Sequence, residues 1–298
     1  MKVLKTINMD SINETKDLDF LNLFASTEKE RKKQIKKIIS KSLELAKLME
    51  SLKITWDELL LYLPEFLDVK NYLDNPSSSV YKFSVERNQK NELVFNKTFN
   101  HKVSDFLNIQ KYLWLSDFDE IDVNLRLNKT VVRNINSQRE IENKLQLIKD
   151  NNSVGGLYIS SGDSINNSKY AQSIAIDFAM NKMSSVYVKT STLFAKLKNG
   201  FTDKNNRNPE IIKILKSADV LVLDGFGSEN INKWFLFDIL NDILTTRILS
   251  DKVTIFFSLL SIEKLFEYYN KNPNISQDGH KLSSLINIIK KHNSSHSI

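Results

Sequence analysis

Ala218-Asp-Val-Leu-Val-Leu-Asp-Gly-Phe-Gly-Ser-Glu229 is the stretch from which the rest of the chain can be read. Val220–Leu223 form a short apolar run that ends in Asp224 and meets two glycines. A run of that length, bounded by turn residues, is the pattern of a strand buried on both faces. The pattern repeats on either side, at Leu157–Ser160, Val186–Lys189 and Val253–Ser258. Between these runs lie segments with helical spacing: Lys169–Met180 (Ala171, Ile174, Ala175, Phe178, Ala179), Leu193–Lys198, Pro209–Lys216, Ile231–Leu249 and Ile262–Tyr269. Short apolar strands alternating with helices predict an α/β domain, a mostly parallel sheet with helices on both faces.

An apolar strand ending in an aspartate is also the way P-loop ATPases place the carboxylate that holds magnesium. Asp224 is therefore a candidate magnesium-side residue, although an aspartate can simply end a strand. The next position often carries the acid that activates water, and here it is Gly225. Glu229 is the nearest remaining acid, and it also fits a place near the start of the Ile231 helix. A phosphate loop belongs between the first strand and first helix, where glycines let backbone N–H groups wrap the phosphates. That place holds Gly162-Asp-Ser-Ile-Asn-Asn-Ser-Lys169. Gly162 takes the first glycine position and Asn167 the last, while Ser168 stands where the lysine belongs and Lys169 where the hydroxyl belongs. One residue along a helix turns a side chain through roughly 100°, so this exchange is not conservative. Gly162, Asp163, Asn167, Ser168, Lys169 and Tyr170 are the candidate nucleotide-binding residues, and a plain polar strand–helix turn is the competing reading.

The flanks are less informative. The chain has 298 residues, a net charge of +6 and no cysteine, so disulfides, thiolate zinc sites and cysteine nucleophiles are excluded. Four histidines leave few ligands for any other metal centre. No apolar segment approaches membrane-spanning length, and a cytoplasmic location is expected. Thr27 and Glu30 form a capping-box signature ahead of Ile35, Ile38, Ile39, Leu43 and Ala46 at helical spacing, with Arg31, Lys32, Lys33, Lys36 and Lys37 opposite. Helices at Trp56–Leu63 and Phe66–Leu73, a turn at 75–79 and a short strand pair at Val80–Phe83 and Glu92–Phe95 complete a small, mainly helical N-terminal domain over 1–100. Residues 101–152 read as a connecting and bracing segment with a helix at Gln138–Asp150, residues 153–291 as the P-loop domain, and 292–298 as a frayed polar tail.

The order of these motifs resembles the bacterial primosomal helicase loaders, the DnaC/DnaI-type AAA+ proteins. The likeness runs from Gly156–Asp163 and Ser168–Tyr170 through Ala218–Glu229, Trp234 and Thr245-Thr-Arg247 to Val253–Ser258 and Ser261–Leu265, covering about 105–270. It implies a P-loop, AAA+-like fold, a domain that grips the replicative DNA helicase, and contacts to single-stranded DNA and other primosome proteins. It also implies ATP and magnesium as cofactors at the positions named above. Leu259 aligns with the family's polar sensor residue, and His280–Lys291 offers no arginine to reach a neighbouring subunit's nucleotide. These departures, together with those in the phosphate loop, argue against efficient ATP hydrolysis, which depends on positioned charge. The expectation is a protein that binds and helps load the helicase with little or no ATP turnover. Arg247, Lys252, Lys32 and Lys36 are the expected contacts to DNA or a partner. A magnesium-dependent ATPase with a rearranged loop, and an interaction protein unrelated to replication, stand as alternatives; oligomeric state is left open.

Overall fold

The computed structural model describes residues 27–118, 120–122, 124–127, 134–152, 155–200 and 207–298. The chain divides into two compact units, Met1–Val103 and Ser104–Ile298.

In the first unit, α1 (Glu28–Ser40), α2 (Leu43–Ser51), α3 (Trp56–Leu61) and α4 (Leu63–Asp74) precede an antiparallel hairpin, β1 (Tyr81–Arg87) and β2 (Leu93–Phe99). Thr27 starts α1 as its spacing predicts, its N–H donating to the Glu30 carboxylate at 3.0 Å. The helical pattern that runs on to Ala46 is interrupted at Ser42, which is buried and donates its hydroxyl to Asp74 at 2.5 Å. Ile35, Leu45, Leu59, Phe66 and Val69 meet Val85 and Leu93 of the hairpin in one small core. Arg87 ties the hairpin to α3 through a two-pronged pair with Glu58, at 2.9 and 3.0 Å. That pairing holds the Glu58 carboxyl down at about 2.

The second unit is built on a six-stranded, all-parallel sheet. In chain order its strands are β3 (Leu113–Ser116), β4 (Gly156–Ser160), β5 (Ser185–Lys189), β6 (Val220–Asp224), β7 (Val253–Ser258) and β8 (Asn293–Ser297). In space they run β3-β5-β6-β7-β4-β8. Successive side chains on a strand point to opposite faces, and each of the four inner strands feeds two cores accordingly. Val220 and Val222 join Leu157, Ile159, Ile255 and Phe257 on one face, under α6 (Ile135–Lys149) and α7 (Ser164–Met180). Leu221 and Leu223 join Tyr158, Val186 and Phe256 on the other. That face is covered by α8 (Thr190–Gly200), α9 (Asn208–Ser217), α10 (Asn241–Leu249), α11 (Ile262–Asn270) and α13 (Gly279–His292), with the short α12 (Pro273–Ser276) between the last two. Each fully buried aliphatic side chain contributes about 1.5–3 kcal/mol, so this double core is the main source of the unit's stability. The expected helix over Ile231–Leu249 starts at Trp234, and its first seven residues, Trp234–Leu240, are wound as a π-helix.

Two expectations are corrected here. Residues 104–152 are part of the second unit, not a separate connector. They supply the helix α5 (His101–Tyr112) from Ser104 onward, the edge strand β3 and the covering helix α6, whose Ile141, Leu145 and Ile148 are buried. The polar stretch after His292 is not frayed: it forms β8, paired in parallel with β4 from Gly156↔Asn293 to Ser160↔Ser297. Gly156 lies so close to Thr254 that an added Cβ would sit 1.8 Å from its carbonyl oxygen. Glycine here lets β4 fit between its neighbours.

Candidate functional site

The carboxyl ends of β5, β6 and β7 open onto a cavity of about 400 Å³. Open α/β sheets bind ligands at this edge, where the chain connections diverge. The turn leaving β6 needs both its glycines. Gly225 and Gly227 have φ of +67° and +93°, values in which a side chain is strained. Added Cβ atoms there would meet Ser228 Oγ at 2.7 Å and Leu265 Cδ1 at 2.5 Å. The Ser258 hydroxyl at the end of β7 fixes this turn by donating to the Phe226 carbonyl at 2.7 Å and accepting from the Leu260 N–H at 3.1 Å.

The phosphate-loop positions take a form that the motif alone does not predict. Helix α7 begins at Ser164, so six of the eight loop positions, Ser164 to Lys169, lie in its opening turns rather than in a loop. Its N-cap is Asp163, whose Oδ1 accepts from the N–H groups of Ile165 and Asn166 at 3.2 and 3.1 Å. The Asp163 Oδ2 accepts from the Asn166 side chain at 2.8 Å. Backbone donors that would cradle a phosphate are thus held by a carboxylate of the same chain, which also places negative charge at the positive end of the helix. Gly162 precedes this turn with open space around it, so nothing packs against the position.

The other candidates separate by face. Asn167 is buried, lines the cavity, and reaches the carbonyls of Ser161 and Ser258 through its Nδ2 at 3.3 and 3.4 Å, while its Oδ1 has no partner among the described residues. Ser168 also lines the cavity and donates its hydroxyl to Asp224 Oδ2 at 2.6 Å. Lys169, one residue further, is exposed and is not among the residues lining the cavity. Tyr170 belongs to the core, not to the site: it is fully buried with its ring edge-on to Phe257 at 6.0 Å, and burial pushes its hydroxyl well above its ordinary pKa.

Asp224 stands where the strand pattern predicts, 4% exposed and bordering the cavity. Its Oδ2 accepts a second hydroxyl, from Tyr187, at 2.6 Å. Tyr187 lies on the neighbouring strand β5 and is held protonated by burial and by the charge of Asp224 itself. Glu229 does not join Asp224. It accepts from the Gly227 N–H at 2.9 Å and from the Tyr269 hydroxyl, deep under the β6 turn. Both acceptor oxygens are engaged in holding that turn, which explains its burial without a catalytic role. Leu259 is half-exposed at the rim of the cavity.

One expected surface contact is also corrected. Arg247 is completely buried. Its guanidinium donates to the carbonyls of Leu215 at 2.6 Å, Ala218 at 2.8 Å, Asp219 at 3.3 Å and Val253, and to the Thr254 hydroxyl at 3.0 Å. Lys252 pairs with Asp219 at 2.5 Å. Arg247 staples the starts of β6 and β7, and Lys252 braces the turn beside them. Lys32 and Lys36 are exposed on α1, the latter over the Trp56 ring at 5.7 Å.

A triphosphate and magnesium do not fit this arrangement. The helix N-terminus is occupied by Asp163, and the lysine lies outside the cavity. Among the described residues no cluster of three or more acidic, histidine or cysteine side chains could hold a metal ion.

The fold itself has relatives. The crystal structure of DnaI superposes with a TM-score of 0.52 at 21% identity, over 62% of this chain and 96% of that one. The chain has the fold of DnaI. The DnaC helicase loader is similar at 19% identity over 59% of this chain and 97% of that one, with a TM-score of 0.44. DnaA from Aquifex aeolicus, bound to AMPPCP, is similar at 15% identity over 60% of this chain and 51% of that one, with a TM-score of 0.48. No family model and no curated protein sequence matches the chain. Among the described residues no helix is long and apolar enough to cross a membrane.

The residues that sequence reasoning missed are Tyr187 and Ser258. Tyr187 carries a signal in retrospect: counting back two from Lys189, which pairs with Asp224, puts it on the aspartate's face of the sheet.

Proposed function

We propose that this protein is a helicase-loader-type adaptor that binds the replicative DNA helicase and assists its placement without using ATP hydrolysis. The observation that carries the reading is the Asp163 cap on α7, within a DnaI-type fold. A carboxylate fixed on the N–H groups of a phosphate site repels a triphosphate and competes for the same donors. Without a γ-phosphate to sense, the protein acts through binding alone, and any switching comes from its partners. The first unit supplies the contact to the helicase, with Lys32 and Lys36 on the exposed face of α1 meeting acidic side chains or phosphates. Single-stranded DNA and other primosome proteins are further partners on this reading.

The test is light scattering after size exclusion of the full chain with its host's replicative helicase, with and without ATP and magnesium. A stable complex indifferent to nucleotide is the expected result. A complex that forms or dissolves only with ATP would restore the ATPase reading, and no complex in either condition would refute the loader assignment.

A further inference from the structure

The cavity at the strand ends contains a buried carboxylate, Asp224, that forms no ion pair among the described residues. Asp224 is 4% exposed, and both hydroxyls that reach it, from Ser168 and Tyr187, converge on Oδ2. No donor among the described residues reaches Oδ1, and the residue borders the cavity. A carboxylate taken out of water without a counter-charge is costly, and its remaining oxygen is a strong acceptor for a charged donor.

The rest of the lining says what kind of donor fits. Phe226, Phe257, Leu259, Leu260 and Tyr268 give apolar and aromatic walls. Such walls suit an alkyl stem, and rings flanking an ammonium add cation–π attraction. They do not suit magnesium, which keeps several waters and seeks oxygen ligands in octahedral array. Lys189, paired with Asp224 across β5 and β6, also lines the cavity; among the described residues it forms no ion pair, and an incoming ammonium competes with it for Asp224.

The geometry points to this cavity as a binding site for an alkylammonium group, with Asp224 Oδ1 receiving the ammonium and the Phe226–Tyr268 side of the cavity holding the stem. The volume, about 400 Å³, lies within the range of small-ligand sites. The ammonium comes either from a free aliphatic amine or from a lysine side chain. A lysine must enter past the rim formed by Leu259 and Tyr268, both of which are partly exposed.

Ligand-observed NMR saturation transfer on the full chain, with n-butylammonium chloride as the probe, tests the assignment. Potassium chloride at equal ionic strength and the uncharged 1-butanol are the controls. Saturable binding of butylammonium but not of butanol is expected, and Asp224→Asn, which keeps an acceptor for Ser168 and Tyr187, should weaken it by roughly 30-fold or more. Lys189→Ala, which removes the like charge at the mouth, should tighten it about threefold. Tighter binding of Nα-acetyl-lysine methylamide than of butylammonium would assign the source as a protein lysine; butylammonium binding with exclusion of the lysine amide would assign a free amine. Equal binding of butanol, full retention in Asp224→Asn, or displacement of the amine by magnesium alone would overturn the proposal. These readings do not depend on the helicase, so they can fail while the adaptor function stands.

Discussion

Strand β6 has an aspartate at each end, and the two are surrounded in opposite ways. Asp219, just before the strand, accepts from Lys252 at 2.5 Å and from the hydroxyl and N–H of Ser184 at 2.6 and 3.0 Å. Burial works against this carboxylate, but the lysine and the serine outweigh it and hold its pKa below the ordinary value. Beside it, Arg247 satisfies four carbonyls at once. Asp224, after the strand, has two neutral hydroxyls on one oxygen and a cavity against the other. One end of the strand is closed by charge balance; the other is left incomplete. The difference separates residues retained for stability from residues placed for a ligand, a distinction that charge and burial alone do not make.

Four substitutions sharpen or break that comparison. Arg247→Met fills the volume but strands buried carbonyls, so it should destabilise the second unit by at least about 3 kcal/mol. A thermal melt close to that of the unmodified protein would show that the closed end contributes nothing special. Asp219→Ala should cost about 1–2 kcal/mol, chiefly through the Ser184 bonds, because the Lys252 pair is partly exposed and screened. The sign with pH follows from a folded-state pKa below the unfolded one. The Asp219 contribution is present above the ordinary carboxylate value and is lost as pH falls through the folded pKa. Urea titrations across that acid range should therefore bring the variant and the parent together, and a gap that widened with acid would contradict the assignment.

Asp163→Ala removes the cap of α7 and should cost about 1 kcal/mol by denaturant unfolding. It should not restore ATP binding measured with a fluorescent analogue, since Ser168 still stands where a lysine is needed. Asp224→Asn has the smallest expected effect on stability, within about 1 kcal/mol and in the stabilising direction, because it removes an unbalanced charge and keeps the acceptor. A marked loss of melting temperature in this variant would mean that Asp224 is as structural as Asp219.

The four inner strands of the sheet were legible because burial on both faces writes an unbroken apolar run. The outer strands were not. Asn293-Ser-Ser-His-Ser297 has no apolar residue, and its place comes from backbone pairing with β4, which leaves no periodic mark. Leu113-Trp-Leu-Ser116 is four residues long with Trp114 half-exposed, too short to distinguish from the end of α5. At the site, Asp224 was read from the strand it ends, and Gly162–Lys169 follows β4 but for the most part opens helix α7 rather than lying between strand and helix. Its conformation was not foreseen, because the same Asp163 fits a loop position and an N-cap, and only the absence of further glycines favours the cap. Arg247 was misplaced for a related reason. A lone arginine reads as surface, and the carbonyls that satisfy it come from three separate parts of the chain.

Strand order has a consequence for how the protein is made. β4 lies between β7 and β8, so both of its sheet partners come from residues 253–297. On the ribosome, β4 is synthesised about a hundred residues before its first partner, and until then its Leu157, Tyr158 and Ile159 have neither sheet edge to join. Pairings of such sequence separation form slowly and leave apolar strands open to other chains. β5, β6 and β7 meet in order as they appear, which makes them the natural template, and β4 with β8 the last seam to close.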